Sequence, residues 1–452
     1  MNPQLAGPSI SRTEGAALSP TSLLARFTRI RAVTEALAGP LSSEDCQVQS
    51  MPEASPVKWH LAHVTWFFET FVLERFEPGF KPHHPAFRTL FNSYYIAVGD
   101  RHPRPQRGLL TRPSLFEVLQ WRQAVNQRME ALLKEKALDA TGTAELAIWV
   151  ELGLQHEQQH QELILTDVKH LLSTNPLLPV YCETWPLASV APTPAQWQAQ
   201  PGGLVSVGHD GPGFAFDNES PRHSQWLRPY ALMNRLVTHG EWLAFMQDRG
   251  YTDPRWWLSA GWDWVQTQRI EAPLYWQRLG LKSGVDWHSF TLHGLVPIDS
   301  HTPIVHINYF EADAFARWRG ATDSAFANAR LPTEFEWEAA VQPGFAQQAA
   351  RGNFAESNAL HPMPVARNAA GLMQALGDVW EWTCSSYQSY PGYQPWRGAV
   401  GEYNGKFMVN QYVLRGGSCA TPASHIRASY RNFFPAETRW QFSGLRLARD
   451  AG

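Results

Sequence analysis

The sequence lacks an excess of charge of either sign, a dense set of cysteines and any long apolar run. Lys and Arg number 38 against 41 Asp and Glu, a formal net charge of −3, so no general attraction to nucleic acid or anionic membranes is expected. No run of about 18 apolar residues occurs, so no segment is expected to cross a bilayer. The four cysteines are scattered without a CxxC pair, which argues against a disulfide framework and favours a reducing cytoplasm.

Hydrophobic residues make up 44% of the 452 residues and charged residues only 17%, as in compact proteins with two or three domains. Residues 1–20 are rich in Ser, Pro, Ala and Gly and are predicted to form a disordered tail. A helical domain is predicted over residues 21–182 and a linker rich in Pro, Ala and Gln over residues 183–201. The remainder, residues 202–452, forms the second predicted domain.

The two predicted domains differ in their hydrophobic period. Apolar residues of the first recur at steps of three and four, which predicts about four long helices packed as a bundle. In the second, Gly and Pro are frequent and apolar runs are short, which predicts an α+β domain with much irregular structure. Its helical signals are few: His239–Asp248, Glu311–Arg319 and Thr333–Ala340.

Two histidines in the helical domain have the spacing of metal ligands. His156 and His160 lie four residues apart in the segment HEQQH, so a helix places both imidazoles on one face. The segment also matches the zinc-protease pattern HExxH, in which Glu157 would be the general base. Histidine pairs at this spacing also occur on solvated helix faces, so the pattern alone leaves both a metal site and a surface pair open.

A third ligand is expected from another helix of the bundle. The segment WHLAH offers His60 and His63 in surroundings too apolar for a surface face, and one of the two is expected to be a core histidine. Three neutral imidazoles suit iron, zinc or copper. They also leave coordination positions open for substrate and dioxygen.

Motifs along residues 22–449 closely resemble the ergothioneine-type sulfoxide synthases. In the first half they are SPVKWHLAHVTWFFETF, LFNSYYIAVGDRHPRPQRGLLTRP and HEQQHQELILTDVKH; in the second, RLPTEFEWEAA, GDVWEWT, LRGGSCATP and YRNFFPAETRWQFSGLRLAR. The resemblance implies an α+β multidomain protein. Its N-terminal domain would be a DinB-like four-helix bundle, and its C-terminal domain would be formylglycine-generating-enzyme-like, with a C-type-lectin-like α+β fold.

The resemblance also implies an activity. A mononuclear Fe(II) centre would bind hercynine, a thiol and dioxygen, and would form a C–S bond at the hercynine imidazole to give a sulfoxide. The iron ligands would be His63, His156 and His160, which leaves His60 a packing or supporting role and Glu157 no catalytic task. The active site is expected at the domain junction, where ligand pockets are common.

Residues that would bind hercynine follow from the same resemblance. Gln159 matches a residue that contacts the imidazole, and Asn432 matches one that anchors the carboxylate. Phe433 and Phe434 would then lie at the substrate wall. A quaternary ammonium cannot donate conventional hydrogen bonds, so aromatic faces are suitable partners for it. Without the resemblance, core packing is the favoured interpretation of both residues.

Tyr94 and Tyr95 match a tyrosine pair that could deliver a proton or an electron near the iron. Adjacent residues of an extended segment point to opposite faces, so one of the two is expected to act. Arg101 and Arg104 begin an RxxRxxR series, and their guanidinium groups suit the carboxylate of an amino-acid thiol. Surface arginines are the competing interpretation.

The identity of the second substrate stays open. Where the branch that uses γ-glutamylcysteine has an acidic residue, this chain has Phe434, which favours cysteine. Ile96 stands where an acidic residue is expected in the sulfur-using subgroup and modestly favours the selenoneine branch, in which a selenosugar is joined to hercynine by a C–Se bond. A non-catalytic hercynine- or betaine-binding module is a further alternative. Cys384 and Cys419 lie in motifs that resemble the synthases rather than the copper-binding formylglycine oxidases.

Overall fold

The computed structural model describes residues 20–138, 143–185, 193–279, 286–365 and 371–451. The predicted tail therefore lies, up to residue 19, outside the described residues. The chain divides into two compact units. The first comprises residues 1–175, 211–218 and 393–406, and the second comprises residues 176–210, 219–392 and 407–452.

Four long helices form the first unit, as predicted from the hydrophobic period. Helices α1 and α2 each pack against both α5 and α6, which makes a four-helix bundle. The second helix continues through a π-helical turn into a final short turn. In chain order the elements are α1 (Pro20–Ala38), α2 (Val57–Phe67), the π-helical turn (Phe68–Leu73), α3 (Glu74–Phe76), α4 (Phe87–Leu90), α5 (Leu115–Leu138) and α6 (Thr143–Ser173).

Buried stripes explain why these segments are helices. On α1, Leu23, Phe27 and Ile30 are buried at steps of four and three, and α5 has a similar stripe. In contrast, α2 is buried along its whole length, including its polar side chains. The bundle interior around α2 therefore holds polar side chains among apolar ones. Full burial of one large apolar side chain contributes about 1.5–3 kcal/mol to stability.

A loop with two 3₁₀ turns, Ile96–Val98 and Arg104–Leu109, follows α4. The Glu402 carboxylate, from the part of the C-terminal half that belongs to this unit, accepts hydrogen bonds from the backbone N–H groups of Ile96 (2.7 Å) and Ala97 (3.0 Å). A carboxylate at the exposed N–H groups of a turn satisfies donors that have no partner within the turn. This contact holds the loop that carries the tyrosine pair.

The described residues of the second unit form four small sheets. Their strand orders are β1-β4-β12, β10-β9-β8-β11, β2-β3 and β5-β6-β7. All strand pairs are antiparallel except β8 with β11. The strands are β1 (Trp197–Gln200), β2 (Gly203–Val207), β3 (His223–Leu227), β4 (Tyr230–Met233), β5 (Trp276–Leu279), β6 (Asp286–Thr291), β7 (Gly294–Pro297), β8 (Trp380–Ser386), β9 (Gln411–Arg415), β10 (Asn432–Pro435), β11 (Ser443–Gly444) and β12 (Ala448–Asp450).

Five helices accompany these sheets, and the three predicted ones are present. Those three, α7, α9 and α10, each begin with a capping box, a local signal that the sequence carries. The prediction missed α8 and the short α11. The helices are α7 (His239–Gln247), α8 (Ser259–Gln268), α9 (Tyr309–Thr322), α10 (Glu334–Val341) and α11 (Phe345–Ala349).

The segment predicted as a linker, residues 183–201, contains a β-strand near its end. Strand β1 lies within it and pairs with β4 from Trp197 with Met233 to Gln200 with Tyr230. Its residues are mostly half-buried, and its short polar sequence gives no alternating pattern. Among the described residues, no helix combines the length and apolarity needed to cross a membrane.

Candidate metal centre

Two helices bring three histidine side chains to one point, here named the histidine cluster: His63, His156 and His160. His156 and His160 are one turn apart on α6, and His63 comes from α2. Nε2 of His63 lies 3.2 Å from Nε2 of His156, and one ring nitrogen from each of the three lies within 4.8 Å of the others. Nitrogens bound to one metal at about 2.1 Å lie about 3.0–3.4 Å apart. The fold therefore gathers the three histidines expected to be ligands.

The orientation of His63 is fixed from three sides. Its ring stacks on Trp59 (4.5 Å between centroids, 15°) and on Trp66 (5.3 Å, 14°). Its Nδ1 lies 2.6 Å from the carbonyl oxygen of Phe91. A carbonyl oxygen only accepts, so Nδ1 of His63 donates and Nε2 keeps its lone pair. That lone pair is the one a metal requires.

His60 is not a member of the histidine cluster, but it contacts one. Its Nδ1 lies 2.8 Å from Nδ1 of His160, and its Nε2 lies 3.0 Å from Oδ2 of Asp167. The sequence analysis did not identify Asp167. A signal was present: Asp167 follows His160 by seven residues on α6, and residues seven apart share a helix face.

Burial keeps the three imidazoles neutral. It lowers the pKa of His156 to about 4. The pKa values of His63 and His160 lie well below their usual range, mainly because both rings are buried and secondly because His156 is close to them. Metal-binding histidines must be deprotonated. The histidine cluster therefore presents uncharged nitrogen donors at neutral pH.

Glu157, the residue after His156, belongs to a different group of side chains. Its Oε1 accepts hydrogen bonds from Arg122 (2.6 Å) and Thr34 (2.6 Å), and its Oε2 accepts one from Arg31 (3.0 Å). Burial alone would raise the pKa of Glu157, but the guanidinium groups of Arg122 and Arg31 lower it to about 2. Both oxygens are engaged with α1 and α5, which argues against Glu157 as the general base of a zinc protease.

The tyrosine pair occupies two different environments. Tyr95 is buried and stacks on Trp66 (5.7 Å, 28°), and its hydroxyl forms no hydrogen bond to another described residue. Burial raises the pKa of this hydroxyl. Tyr94 is half-buried, and its hydroxyl accepts a hydrogen bond of 2.5 Å from Arg104. The two side chains thus face different neighbours.

The three arginines of the RxxRxxR series differ in exposure. Arg101 is exposed and makes one long contact, 3.4 Å to the carbonyl oxygen of Ser93. Arg104 is half-buried between Tyr94 and the carbonyl oxygen of Glu53. Arg107 is buried, with its guanidinium carbon 3.4 Å from the ring centroid of Trp59, the residue that stacks on His63. Sequence spacing did not distinguish this supporting arginine from the two expected to bind substrate.

The remaining expected substrate residues lie at two places. Gln159 is on α6 beside His160 and is half-buried. Asn432, Phe433 and Phe434 are half-buried on β10, where they pair with β9. Phe433 stacks on Tyr387 (4.0 Å, 10°). Within the described residues, the side-chain N–H₂ of Asn432 donates no hydrogen bond, since the amide oxygen makes the only side-chain contact, from the Phe433 N–H.

The histidine cluster fits a resident metal ion. In two of its rings, His63 and His160, Nδ1 is hydrogen-bonded to a group outside the cluster. The described residues offer no hydrogen-bond partner to Nδ1 of the third ring, His156. Three imidazoles and no carboxylate suit iron, zinc or copper and leave coordination positions open. Fold and site together define a protein with a helical bundle that could bind a metal through three histidines, joined to an α+β domain.

Comparisons with known proteins agree with this class. Residues 26–164 match the DinB superfamily model, and residues 191–451 match the sulfatase-modifying factor enzyme 1-like domain. A protein of Mycobacterium tuberculosis named hercynine oxygenase is 33% identical over 454 residues, covering 96% of this chain and 99% of that protein. The hercynine oxygenase of Mycolicibacterium thermoresistibile is 34% identical over 427 residues, covering 88% of each chain.

A protein of Schizosaccharomyces pombe named ergothioneine biosynthesis protein 1 is 26% identical over 253 residues, covering 52% of this chain and 28% of that protein. The chain belongs to the hercynine oxygenase family, the ergothioneine-type sulfoxide synthases. It is an oxidative enzyme built from a DinB-like bundle and a sulfatase-modifying-factor-like α+β domain.

Proposed function

We propose that this protein is an Fe(II)-dependent synthase that uses dioxygen to join hercynine to a chalcogen donor by oxidative C–S bond formation. The observation that carries the proposal is the convergence of three neutral histidine nitrogens in a chain that aligns with a hercynine oxygenase over 96% of its length. The commitment of Glu157 to two arginines favours oxidative chemistry over zinc-dependent hydrolysis.

The proposed reaction balances without a further reductant. A C–H bond of the imidazole and the S–H bond of the donor break, and a C–S bond and an S–O bond form. Dioxygen supplies the sulfoxide oxygen, and its second atom leaves as water. When bound, iron supplies a redox-active Lewis acid with open positions for dioxygen and the donor. His63, His156 and His160 would hold it.

Hercynine carries a carboxylate, a trimethylammonium group and an imidazole, and the chain offers a partner for each. The Asn432 amide N–H₂ is the proposed donor to the carboxylate. Phe433 and Phe434 present aromatic surface, and aromatic faces attract quaternary ammonium groups. Gln159, beside His160 on α6, is the proposed contact of the imidazole.

The two tyrosines receive separate roles in this proposal. Tyr95 is the proposed proton or electron donor, because its buried hydroxyl has no hydrogen-bond partner among the described residues. Tyr94 is the proposed support for Arg104, because its hydroxyl is already bonded to that guanidinium. A donor that delivers a proton during turnover needs a hydroxyl available to the reacting oxygen.

Arg101 and Arg104 are the proposed partners of the carboxylate of the donor, which we propose to be cysteine. Arg101 has one long contact, so most of its guanidinium is available to a ligand. Nε of Arg104 is buried without a hydrogen-bond partner among the described residues, which leaves a donor to be satisfied. Bidentate pairing with a carboxylate would use such groups.

One observation favours a second candidate, the joining of hercynine to a selenosugar through a C–Se bond. Ile96 follows the tyrosine pair, and its side chain is 66% exposed. An exposed apolar residue suits the face of a sugar ring better than the charged backbone of an amino acid. A non-catalytic hercynine- or betaine-binding module is the outcome that remains if no product forms.

The test is anaerobic reconstitution with Fe(II), followed by ¹⁸O₂, hercynine and either cysteine or a selenosugar, with products read by mass spectrometry. A hercynine–cysteine sulfoxide that carries one ¹⁸O atom supports the main proposal. A hercynine–selenosugar adduct replaces it with the second candidate. Absence of both products and of dioxygen consumption in the iron-loaded protein rejects the synthase and leaves the binding module.

A further inference from the structure

A chain of hydrogen bonds runs from the histidine cluster to a buried carboxylate. It passes from Nδ1 of His160 to Nδ1 of His60 (2.8 Å) and from Nε2 of His60 to Oδ2 of Asp167 (3.0 Å). All three side chains are buried. The same Asp167 oxygen accepts a hydrogen bond of 2.8 Å from the backbone N–H of Ser55. The metal-ligand assignment of the proposed function does not use His60 or Asp167.

The direction of each proton in this chain can be derived. An ionised carboxylate only accepts, so Nε2 of His60 donates to Asp167. A neutral imidazole has one N–H group, so Nδ1 of His60 must accept. The proton between the two rings therefore belongs to His160, on Nδ1. As a result, Nε2 of His160 has a lone pair and no hydrogen.

We propose that Asp167 and His60 form a positioning pair that fixes His160 as the Nδ1–H tautomer and directs its Nε2 lone pair toward the metal. This inference rests on the proposed function for the identity of His160 as a ligand. It adds two residues that touch neither metal nor substrate and act through His160.

Helix geometry explains why a second histidine is needed. Metal-binding histidines commonly donate their other N–H group to a carboxylate, which fixes the tautomer and the ring orientation. Asp167 lies seven residues after His160 on α6, a rise of about 10 Å, too far for direct contact between the two side chains. The imidazole of His60, on α2, spans this gap.

The pair also fixes α2 against α6. His60 is three residues before His63 on α2, so a contact that holds His60 against α6 also sets the position of the ligand from the other helix. His63 reaches the same tautomer by a different route, through the carbonyl oxygen of Phe91. The described residues supply no such partner for Nδ1 of His156.

The tautomers can be measured directly in the metal-free protein. In ¹⁵N-histidine-labelled protein, long-range ¹H–¹⁵N spectra distinguish Nδ1–H from Nε2–H rings. Each signal is assigned by its disappearance from the variant in which that one histidine is replaced. The inference predicts Nδ1–H for His160 and Nε2–H for His60. An Nε2–H ring at His160 would overturn it, whatever the activity of the enzyme.

Metal affinity provides the second readout. Loss of an outer partner of a metal ligand costs about 10–100-fold in affinity, so His60→Leu and Asp167→Ala should each raise the Co(II) dissociation constant by that factor. Asp167→Asn, whose amide oxygen can still accept from His60 and Ser55, should recover most of the affinity. His84→Leu is the control, since His84 is a histidine of the first unit that contacts Ala86 and Phe87, and it should leave the affinity unchanged.

The outcomes separate this inference from the proposed function. If the wild-type protein forms product and His60→Leu binds Co(II) within a factor of two of wild type, the positioning pair is wrong and the function stands. If the wild-type protein forms no product but shows the predicted tautomers and affinity losses, the function is wrong and the positioning pair stands. Circular dichroism of each variant separates loss of positioning from loss of folding. If His60→Leu does not fold, the affinity of Asp167→Asn and the tautomers of the wild-type protein decide the question.

Discussion

Two buried polar groups lie side by side on α6, and they are built in opposite ways. The histidine cluster consists of neutral rings whose nitrogens converge, with Nε2 of His63 3.2 Å from Nε2 of His156. The second, here named the carboxylate cluster, consists of Glu157, Arg31, Arg122 and Thr34. In it, both oxygens of Glu157 accept charge-assisted hydrogen bonds. Adjacent residues, His156 and Glu157, belong to different clusters.

This difference between the two clusters distinguishes a candidate metal-binding site from a group of side chains that stabilises the bundle. Three buried, uncharged imidazoles with converging nitrogens form a set of donors that can hold a metal ion. In the carboxylate cluster, both oxygens of Glu157 already accept hydrogen bonds from α1 and α5, so this carboxylate has a structural role. We therefore expect substitutions in the carboxylate cluster to affect folding stability, and substitutions in the histidine cluster to affect metal binding.

The largest expected effect is loss of stability in Glu157→Ala. Removing one partner of a buried ion pair leaves the other charge uncompensated and costs about 3–5 kcal/mol. Here Arg31 and Arg122 would both lose their shared carboxylate. Urea unfolding of the metal-free protein measures the change. Glu130→Ala, an exposed pair with Lys134 on α5, is the control and should change stability by about 0.5 kcal/mol or less; an equal loss in both variants would contradict the contrast.

The next effect is metal-dependent stabilisation, which should depend on the histidine cluster alone. Metal that binds only the folded protein adds about 2.7 kcal/mol to the unfolding free energy at a free concentration 100 times the dissociation constant. His156→Ala should lose this gain while its metal-free stability stays near that of wild type. Thermal unfolding with and without Co(II) measures both quantities. A full metal-dependent gain in His156→Ala would show that the metal binds elsewhere.

A smaller effect is expected from the aromatic walls of His63. Aromatic pairs contribute about 0.5–1.5 kcal/mol beyond the area they bury, so Trp66→Phe should weaken Co(II) binding by up to about tenfold. Trp149→Phe is the matched control, because Trp149 is a buried tryptophan on α6 that stacks on Phe71 instead. Equal weakening in the two variants would mean that general loosening of the core, and not the wall of His63, sets the affinity.

The smallest expected effect concerns Arg101 and Arg104, whose guanidinium groups differ in the number of contacts they make. Arg101 makes one long contact, to the carbonyl oxygen of Ser93, whereas Arg104 is bonded to Tyr94 and to the carbonyl oxygen of Glu53. Arg101→Gln should raise KM for cysteine about threefold to tenfold with kcat unchanged, the signature of lost uniform binding. Arg104→Gln should raise KM for cysteine more than Arg101→Gln does, because it removes a guanidinium that Tyr94 and the Glu53 carbonyl hold in place. Steady-state kinetics with cysteine varied at saturating hercynine distinguishes the two, and an unchanged KM in Arg101→Gln would remove that residue from the site.

Much of the first unit could be predicted from sequence, because its signals are local. The steps of three and four on α1 and α5 mark the faces that the bundle buries, and HEQQH places two rings on one face of α6 without reference to any other element. Similarly, the capping boxes at Thr238, Asn308 and Thr333 mark helix starts within four residues.

Other features depend on contacts that spacing does not encode. The contact of His60 with Asp167 joins residues 107 apart in sequence, and only the packing of α2 on α6 creates it. Helix α8 has two buried residues, Gly261 and Val265, so no apolar period reveals it. Strand β1 is short and only half-buried, which is why its Pro-, Ala- and Gln-rich surroundings predicted a linker.

The central claim is that His63 completes a metal site with the two histidines of HEQQH. Its most direct test is the iron content per chain after anaerobic Fe(II) loading and gel filtration, measured for wild type and His63→Ala. The account predicts one iron per wild-type chain and almost none in a folded His63→Ala chain. Retention of a full equivalent of iron by His63→Ala would contradict the account, since His156 and His160 would then hold the metal without the third ligand.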